Sequence, residues 1–522
     1  EQRYRVHNRG DVVVCTDGRS VELGQVVLLS HRQNIGTSPG AAAGPDTHRS
    51  STTHQETSGQ VSLRGLVSPD DTELRILGQI RLELLESFLR ASFRHAHGDA
   101  TVDVLLKGKP DDLKLIGRAE LKEARFIPDA MDTPIEVHAG VLDLSPGRAT
   151  LRGLRATVDG SQTTADGTVE VPSLSPLRFG NIDFTLSGDV SAQLLQWRFA
   201  RNVAEARGHL ALRGLHVTGN FVEPMVEGTL VAKNLFLNLR RFHELYFSGG
   251  TISLHSTNSK SGRIIVGCPA GSATEVRGCE PLSGTVDGDG KVLMNGRLEH
   301  SGLGGFTKPN WYAAIDRVRS AIVLENVRHT VAGVYNVEVT TPAPGLQVVG
   351  NRDEMRVIGN VEVVSGRYMQ DFDLADRFLS ARRIVEEEAP FWEGDPFLSS
   401  LLLTLHVRTR GTFRVLNNIA DLRLSTNDFL VSGALENVSM GGVIRVESGF
   451  FNVPGLRSEF QVRGDSKIDF SGAARWPETP FVDVRGSARE LDQNDQQRNI
   501  ELALRGKVKE LRIDCLTSDN MS

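Results

Sequence analysis

Few residues in this 522-residue chain have the types that carry chemistry, and none has the company that chemistry requires. His95 and His97 in "FRHAHG" supply two imidazoles but no third ligand, which reads as a solvated turn. "DGDGK" at 287–291 starts like a calcium loop, yet the later ligand positions are missing and Asp-Gly is a favoured hairpin turn. "EEE" at 386–388 reads as the solvated end of a helix. Cys268 and Cys279 bound the glycine- and proline-bearing loop "CPAGSATEVRGC". They either close a small disulfide in an oxidising compartment or are two unrelated thiols, and the spacing leaves both open. Cys15 and Cys515 complete the cysteine set, and neither pair has metal-ligand spacing. HExxH and Walker A motifs are absent, and no GxSxG elbow is expected, because the string "GTSPG" at 36–40 falls in a small, polar stretch and not between a strand pattern and a helix pattern. The expectation is no catalytic residue, no metal and no cofactor. A β-helix polysaccharide-active enzyme, whose acidic residues are dispersed among strands, is the enzyme alternative.

The residues that remain are structural, and their pattern is β. Fifty-two glycines, 39% hydrophobic and only 6% aromatic residues describe many turns and mostly aliphatic apolar positions. Net charge is −6, with 59 Lys+Arg against 65 Asp+Glu and no long single-sign run. Nucleic acid is therefore not an expected partner. The most apolar window, "FLSSLLLTLHV" at 397–407, is too short to span a bilayer. With no Met at the start and an ending straight after a strand-like run, the chain reads as a piece of a longer polypeptide whose anchor or targeting signal lies outside it.

Residues 31–60 are small and polar, which predicts a flexible loop. From Val61 onward, apolar and polar residues alternate with turn signals every eight to twelve residues, as in "GHLALRGLHVTG" and "FVDVRG". That period predicts antiparallel strands with one apolar and one wet face. Helical spacing breaks it near 80–95, 189–206 and 372–388. Glycines nine apart recur as Gly108/Gly117, Gly219/Gly228, Gly350/Gly359 and Gly433/Gly442, each followed by apolar residues in shared register. A second matched set, Gly78/Gly98 and Gly188/Gly208, precedes the first two units. A repeated one-sided β unit must bury its apolar face, either within a closed body or in a trough along a long sheet. About 35 strands abreast at about 4.8 Å would extend about 150 Å.

The stretch at 420–472, "ADLRLSTNDFLVSGALENVSMGGVIRVESGFFNVPGLRSEFQVRGDSKIDFSG", followed by "PFVDVRGSA" and "IELALRGKVKELRID", resembles the TamB C-terminal domain family within the AsmA-like group of envelope proteins. "GQIRLELLESFL" and "GDVSAQLLQW" resemble the family's upstream repeats, whereas 31–60 and 256–285 interrupt the rhythm. The resemblance implies an all-β fold: a long, twisted, mostly antiparallel sheet curled into an open hydrophobic groove, with a few short helices. It divides the chain into 1–60, repeating groove segments at 61–399, and a truncated TamB-like domain at 400–522. It further implies a periplasmic protein of a diderm bacterium, held in the inner membrane by a missing N-terminal anchor. Such a protein carries phospholipid toward the outer membrane and pairs with an Omp85-family barrel. The in-phase positions expected to line the groove are Phe413, Val415, Leu422, Leu424, Ile444, Val446, Ile468, Phe470, Val482, Val484, Leu502, Leu504, Leu511 and Ile513. The rival is a closed β-solenoid scaffold for protein contact, with the same residues as an ordinary core.

Overall fold

Alternation at period two requires extended backbone, and the chain adopts it nearly throughout. The computed structural model describes residues 3–517 apart from 34–56, 86–92, 270–277, 303–310, 372–397, 471–479 and several stretches of five residues or fewer. These residues build one 32-stranded sheet and a separate hairpin, Ser173–Leu174 with Leu177–Arg178. The fold is all-β and mostly antiparallel. Its ladders run from Arg3–Asn8 against Val21–Gln33 to Gln497–Lys507 against Arg512–Thr517. Among the described residues no ladder joins these two ends, so the sheet does not close into a barrel.

The sheet is shorter than strands all abreast would make it, because several partners lie end to end. Glu244–Gly249 and Thr251–Asn258 share one neighbour, Pro224–Leu239. Ala420–Ser425 and Phe429–Ala434 share Leu401–Leu416. About 25 ranks at about 4.8 Å give a contour of about 120 Å. The recurrent glycines sit where strands bend: all those in the two repeat registers have positive φ except Gly359. At Gly117, φ is 144° and a Cβ would stand 2.0 Å from the Asp103 carbonyl oxygen. Only glycine fits there.

Among the described residues, ladder pairing takes over part of the stretches with helical spacing, because a strand between two others satisfies its backbone on both sides. Of the helix expected near 80–95, the described residues hold a 3₁₀ turn at Leu82–Leu85 and the start of strand Phe93–Gly108, while 86–92 lie outside the described residues. That expected at 189–206 is only Gln193–Arg198, between two strands. The segment at 372–388, with its "EEE", lies outside the described residues, as does the polar stretch 34–56. The interruption at 256–285 also resolves into rhythm. Ser261–Val266 and Leu282–Val286 both pair with Gly290–His300, and the chain between them makes an excursion. Cys268 and Cys279 join across the neck of that excursion in a disulfide with Cα atoms 5.4 Å apart.

One ladder is parallel: Met355–Tyr368 with Leu401–Leu416. A parallel neighbour needs a crossover connection instead of a hairpin, and residues 369–400 supply it. Apolar clusters follow one another along the sheet. One centres on Ala96, Ala100, Ala124 and Val137, a larger one on Leu210, Ala232, Phe247 and Val292, and the last on Val446, Phe460, Val484 and Leu502.

Candidate functional site

The candidate site is the apolar face itself. Strand Thr72–Arg81, "TELRILGQIR", alternates cleanly: Leu74, Ile76 and Ile80 turn inward, while Glu73, Arg75 and Gln79 are exposed. Register carries the inward set across neighbours, with Leu74 opposite Leu106, which is opposite Leu115, and Ile80 opposite Ala100, which is opposite Leu121. Ala100 is buried. Leu74, Ile76, Leu106, Leu115 and Leu121 are partly buried, so this face keeps some aliphatic surface in contact with solvent.

Toward the C-terminus the same face is tighter. Phe413 and Leu424 are opposite one another, as are Val415 and Leu422, and Leu424 and Val446. Ile444 lies opposite Ile468, which lies opposite Val482, and Val484 lies opposite Leu504. Phe413, Val415, Leu422, Leu424, Ile444, Val446, Val482, Val484, Leu502 and Leu504 all join one cluster. Val446 is 0% and Phe460 1% exposed, and Phe460 stacks on Phe451 with centroids 5.6 Å apart. A Cβ on Gly486 would meet the Phe451 ring at 2.6 Å, so the missing side chain makes room for the stack. Phe470 meets Phe429 edge-on at 4.9 Å. Ile513 has the expected register, opposite Leu504, but is 53% exposed on the outermost described strand. Leu511 lies outside the described residues.

The outward face is held by cross-strand ion pairs. Arg75 grips both carboxylate oxygens of Asp103 at 3.0 Å, and Lys107 reaches Glu73 at 3.0 Å. Asp483 accepts from Arg485 Nε at 3.2 Å and Arg505 Nε at 3.1 Å. Burial pushes the Asp483 carboxyl upward, but those hydrogen bonds outweigh it and hold the group below the ordinary aspartate range. At the parallel ladder the Glu362 carboxylate, 7% exposed, takes Arg408 and Arg410.

The motifs singled out for chemistry have structural partners. His95 and His97 lie on strand Phe93–Gly108, not in a turn, and His97 pairs with the buried Glu83 carboxylate. Asp287 and Gly288 turn the chain between Leu282–Val286 and Gly290–His300, and Asp287 Oδ1 accepts the Glu244 backbone N–H at 3.0 Å. Among the described residues no three His, Cys, Asp or Glu side chains converge as metal ligands.

Sequence alternation missed Phe451 and Phe460. They follow the register shift between Val446 and Ser448, where the parity of inward residues changes. Beyond this chain, no curated protein matches it. Residues 283–519 match the model of the TamB C-terminal domain, and over that span the chain is similar to the TamB family.

Proposed function

We propose that the chain is a non-enzymatic lipid conduit that carries glycerophospholipid acyl chains along the inward face of the sheet, between the inner and outer membranes of a diderm envelope. The observation that carries this reading is an open sheet with a one-sided apolar interior, whose large aliphatics near the N-terminus stay partly exposed. Each acyl methylene withdrawn from water on such a surface contributes about 0.8 kcal/mol. No step calls for an acid, a base or a nucleophile. TamB domains belong to envelope assembly and transport, and the Cys268–Cys279 disulfide fits an oxidising compartment such as the periplasm. An Omp85-family barrel as partner and an inner-membrane anchor outside this chain complete the proposal. So does the division at 1–60, 61–399 and 400–522, whose last boundary falls just before the parallel strand Leu401–Leu416.

The packed cluster around Val446 and Phe460 favours a second reading for the C-terminal part, a closed scaffold whose interior is ordinary core. Photo-crosslinkers at Ile76, Ile444 and Val484, with outward Gln79 and Gln461 as controls, separate the two in cells. Phospholipid adducts at all three inward positions support a continuous conduit. Adducts at Ile76 alone restrict it to the N-terminal part. Adducts nowhere, or equally at inward and outward positions, defeat it.

A further inference from the structure

We propose that the rim of the sheet beside the parallel ladder holds a phosphate oxyanion, the headgroup phosphate of a lipid whose chains lie in the interior; this rests on the conduit reading. Three strands end together at this rim. Tyr335 opens Tyr335–Thr340, Tyr368 closes Met355–Tyr368, and Val415 is the penultimate residue of Leu401–Leu416. Register places Tyr335, Tyr368, Val415 and Leu422 in one cross-strand row. Val415 and Leu422 pack on the C-terminal apolar cluster, so the row is an inward one. Tyrosine, with an apolar ring and a polar tip, suits a boundary between an apolar interior and water. Tyr368 Oη donates to Gln370 Oε1 at 2.8 Å, just past the strand end.

The adjacent row, one residue over and facing outward, is Asn336, Arg367, Arg414 and Arg423. Like charges directly opposite on neighbouring strands repel, and the local acids relieve this only in part. Arg414 is bidentate to Asp421, and Arg328 Nε donates to Glu338 at 3.1 Å. These carboxylates are tucked beneath, 14% and 16% exposed, against 39% and 58% for their guanidinium partners. The exposed Asp289 carboxylate also lies 3.7 Å from Arg328, so the solvent-facing surface is cationic chiefly at Arg367, Arg414 and Arg423. Arg367 is exposed and has no ion-pair partner among the described residues.

Arg328, Arg367, Arg414, Asn336 and Thr412 surround a cleft of about 450 Å³, whose wall also includes Glu338. A guanidinium fork matches two oxygens of a phosphate group, and amide and hydroxyl donors complete its hydrogen bonding. A phosphate held there lies on the outward face, and its glycerol reaches the inward row by passing round the strand end at Tyr368.

Titration calorimetry on the full chain tests the site with three probes: monomeric dihexanoylphosphatidylglycerol, dihexanoylglycerol and inorganic phosphate. The expected result is roughly fivefold or greater preference for the phosphate-bearing lipid over dihexanoylglycerol, competed by inorganic phosphate. Arg367→Gln should abolish that preference while dihexanoylglycerol binds as before, which also reports that the variant is folded. Arg367→Lys, which keeps the charge but loses the fork, should restore it only in part. Equal preference in the native chain and Arg367→Gln overturns the site. Inorganic phosphate binding that depends on Arg367 with no affinity for either lipid keeps the phosphate site and overturns the conduit.

Discussion

Placing a carboxyl at Val446 tests whether the inward face near the C-terminus is dry. Val446 is 0% exposed and faces Leu424, with Val484 and Leu502 in the same cluster. Val446→Asp forfeits about 1.5–3 kcal/mol of apolar burial and leaves a polar group without a partner, at about 1–3 kcal/mol more. The sum, about 2.5–6 kcal/mol, compares with a whole-domain stability of about 5–15 kcal/mol. A strand in this sheet hydrogen-bonds only to the strands beside it, so the loss should stay within the surrounding cluster. Amide exchange should rise in Ala420–Ser425, Asn437–Asn452 and Phe481–Leu491 and remain unchanged in Thr72–Arg81. The pH dependence has a definite sign. A carboxyl buried among apolar groups is harder to ionise in the folded state, so its pKa there lies above the unfolded value of about 3.9. The folded state then holds the extra proton, and the penalty grows with pH above about 4, at up to about 1.36 kcal/mol per unit. Gln461→Asp, exposed and outward opposite Ser487, is the control. If both variants open the same strands equally, or Val446→Asp shows no pH dependence, the face is wet and the reasoning fails.

Two further outcomes follow from the same sheet. Gly449 has φ 134°, and a Cβ there would stand 2.0 Å from the Asp421 carbonyl oxygen. Gly449→Ala should therefore cost at least about 2 kcal/mol and deprotect Ala420–Ser425; unchanged exchange would show that the bend is not required. Asp483 has a folded-state pKa depressed by Arg485 and Arg505, so its contribution is complete above about pH 4 and is lost as pH falls through the folded value. Between pH 5 and pH 2 the native chain should lose more denaturant resistance than Asp483→Asn, and parallel losses would rule the linkage out.

Much of this architecture is legible in residue order, for identifiable reasons. Alternation along "FVDVRG" assigns Val482 and Val484 to one face, because side chains change sides at every residue of a strand. The glycine registers mark bends, because a neighbouring backbone stands where a Cβ would be. Alternation carries no information on strand direction, so the parallel ladder was invisible. Nor does it say how far opposite walls approach, which is why the same pattern yields partly exposed Ile76 and fully buried Val446. Outward residues were harder still. Alternation places Asp483 on the wet face, yet it bridges two arginines there. The rim row of Asn336, Arg367, Arg414 and Arg423 assembles from separate strands, with a crossover between two of them, and no local motif announces it.

The sheet, open among the described residues, is also a ruler. Because each ladder depends only on its two neighbours, inserting or deleting one hairpin changes the span by about 9.6 Å, two strand spacings, and leaves every other register intact. An antiparallel array grown this way advances only in even steps, since each added pair must return the chain to the rim it left. The ladder between Met355–Tyr368 and Leu401–Leu416 escapes that rule. Its crossover brings the chain back to the same rim after a single strand, so the reach between two fixed endpoints is adjustable by one strand at a time.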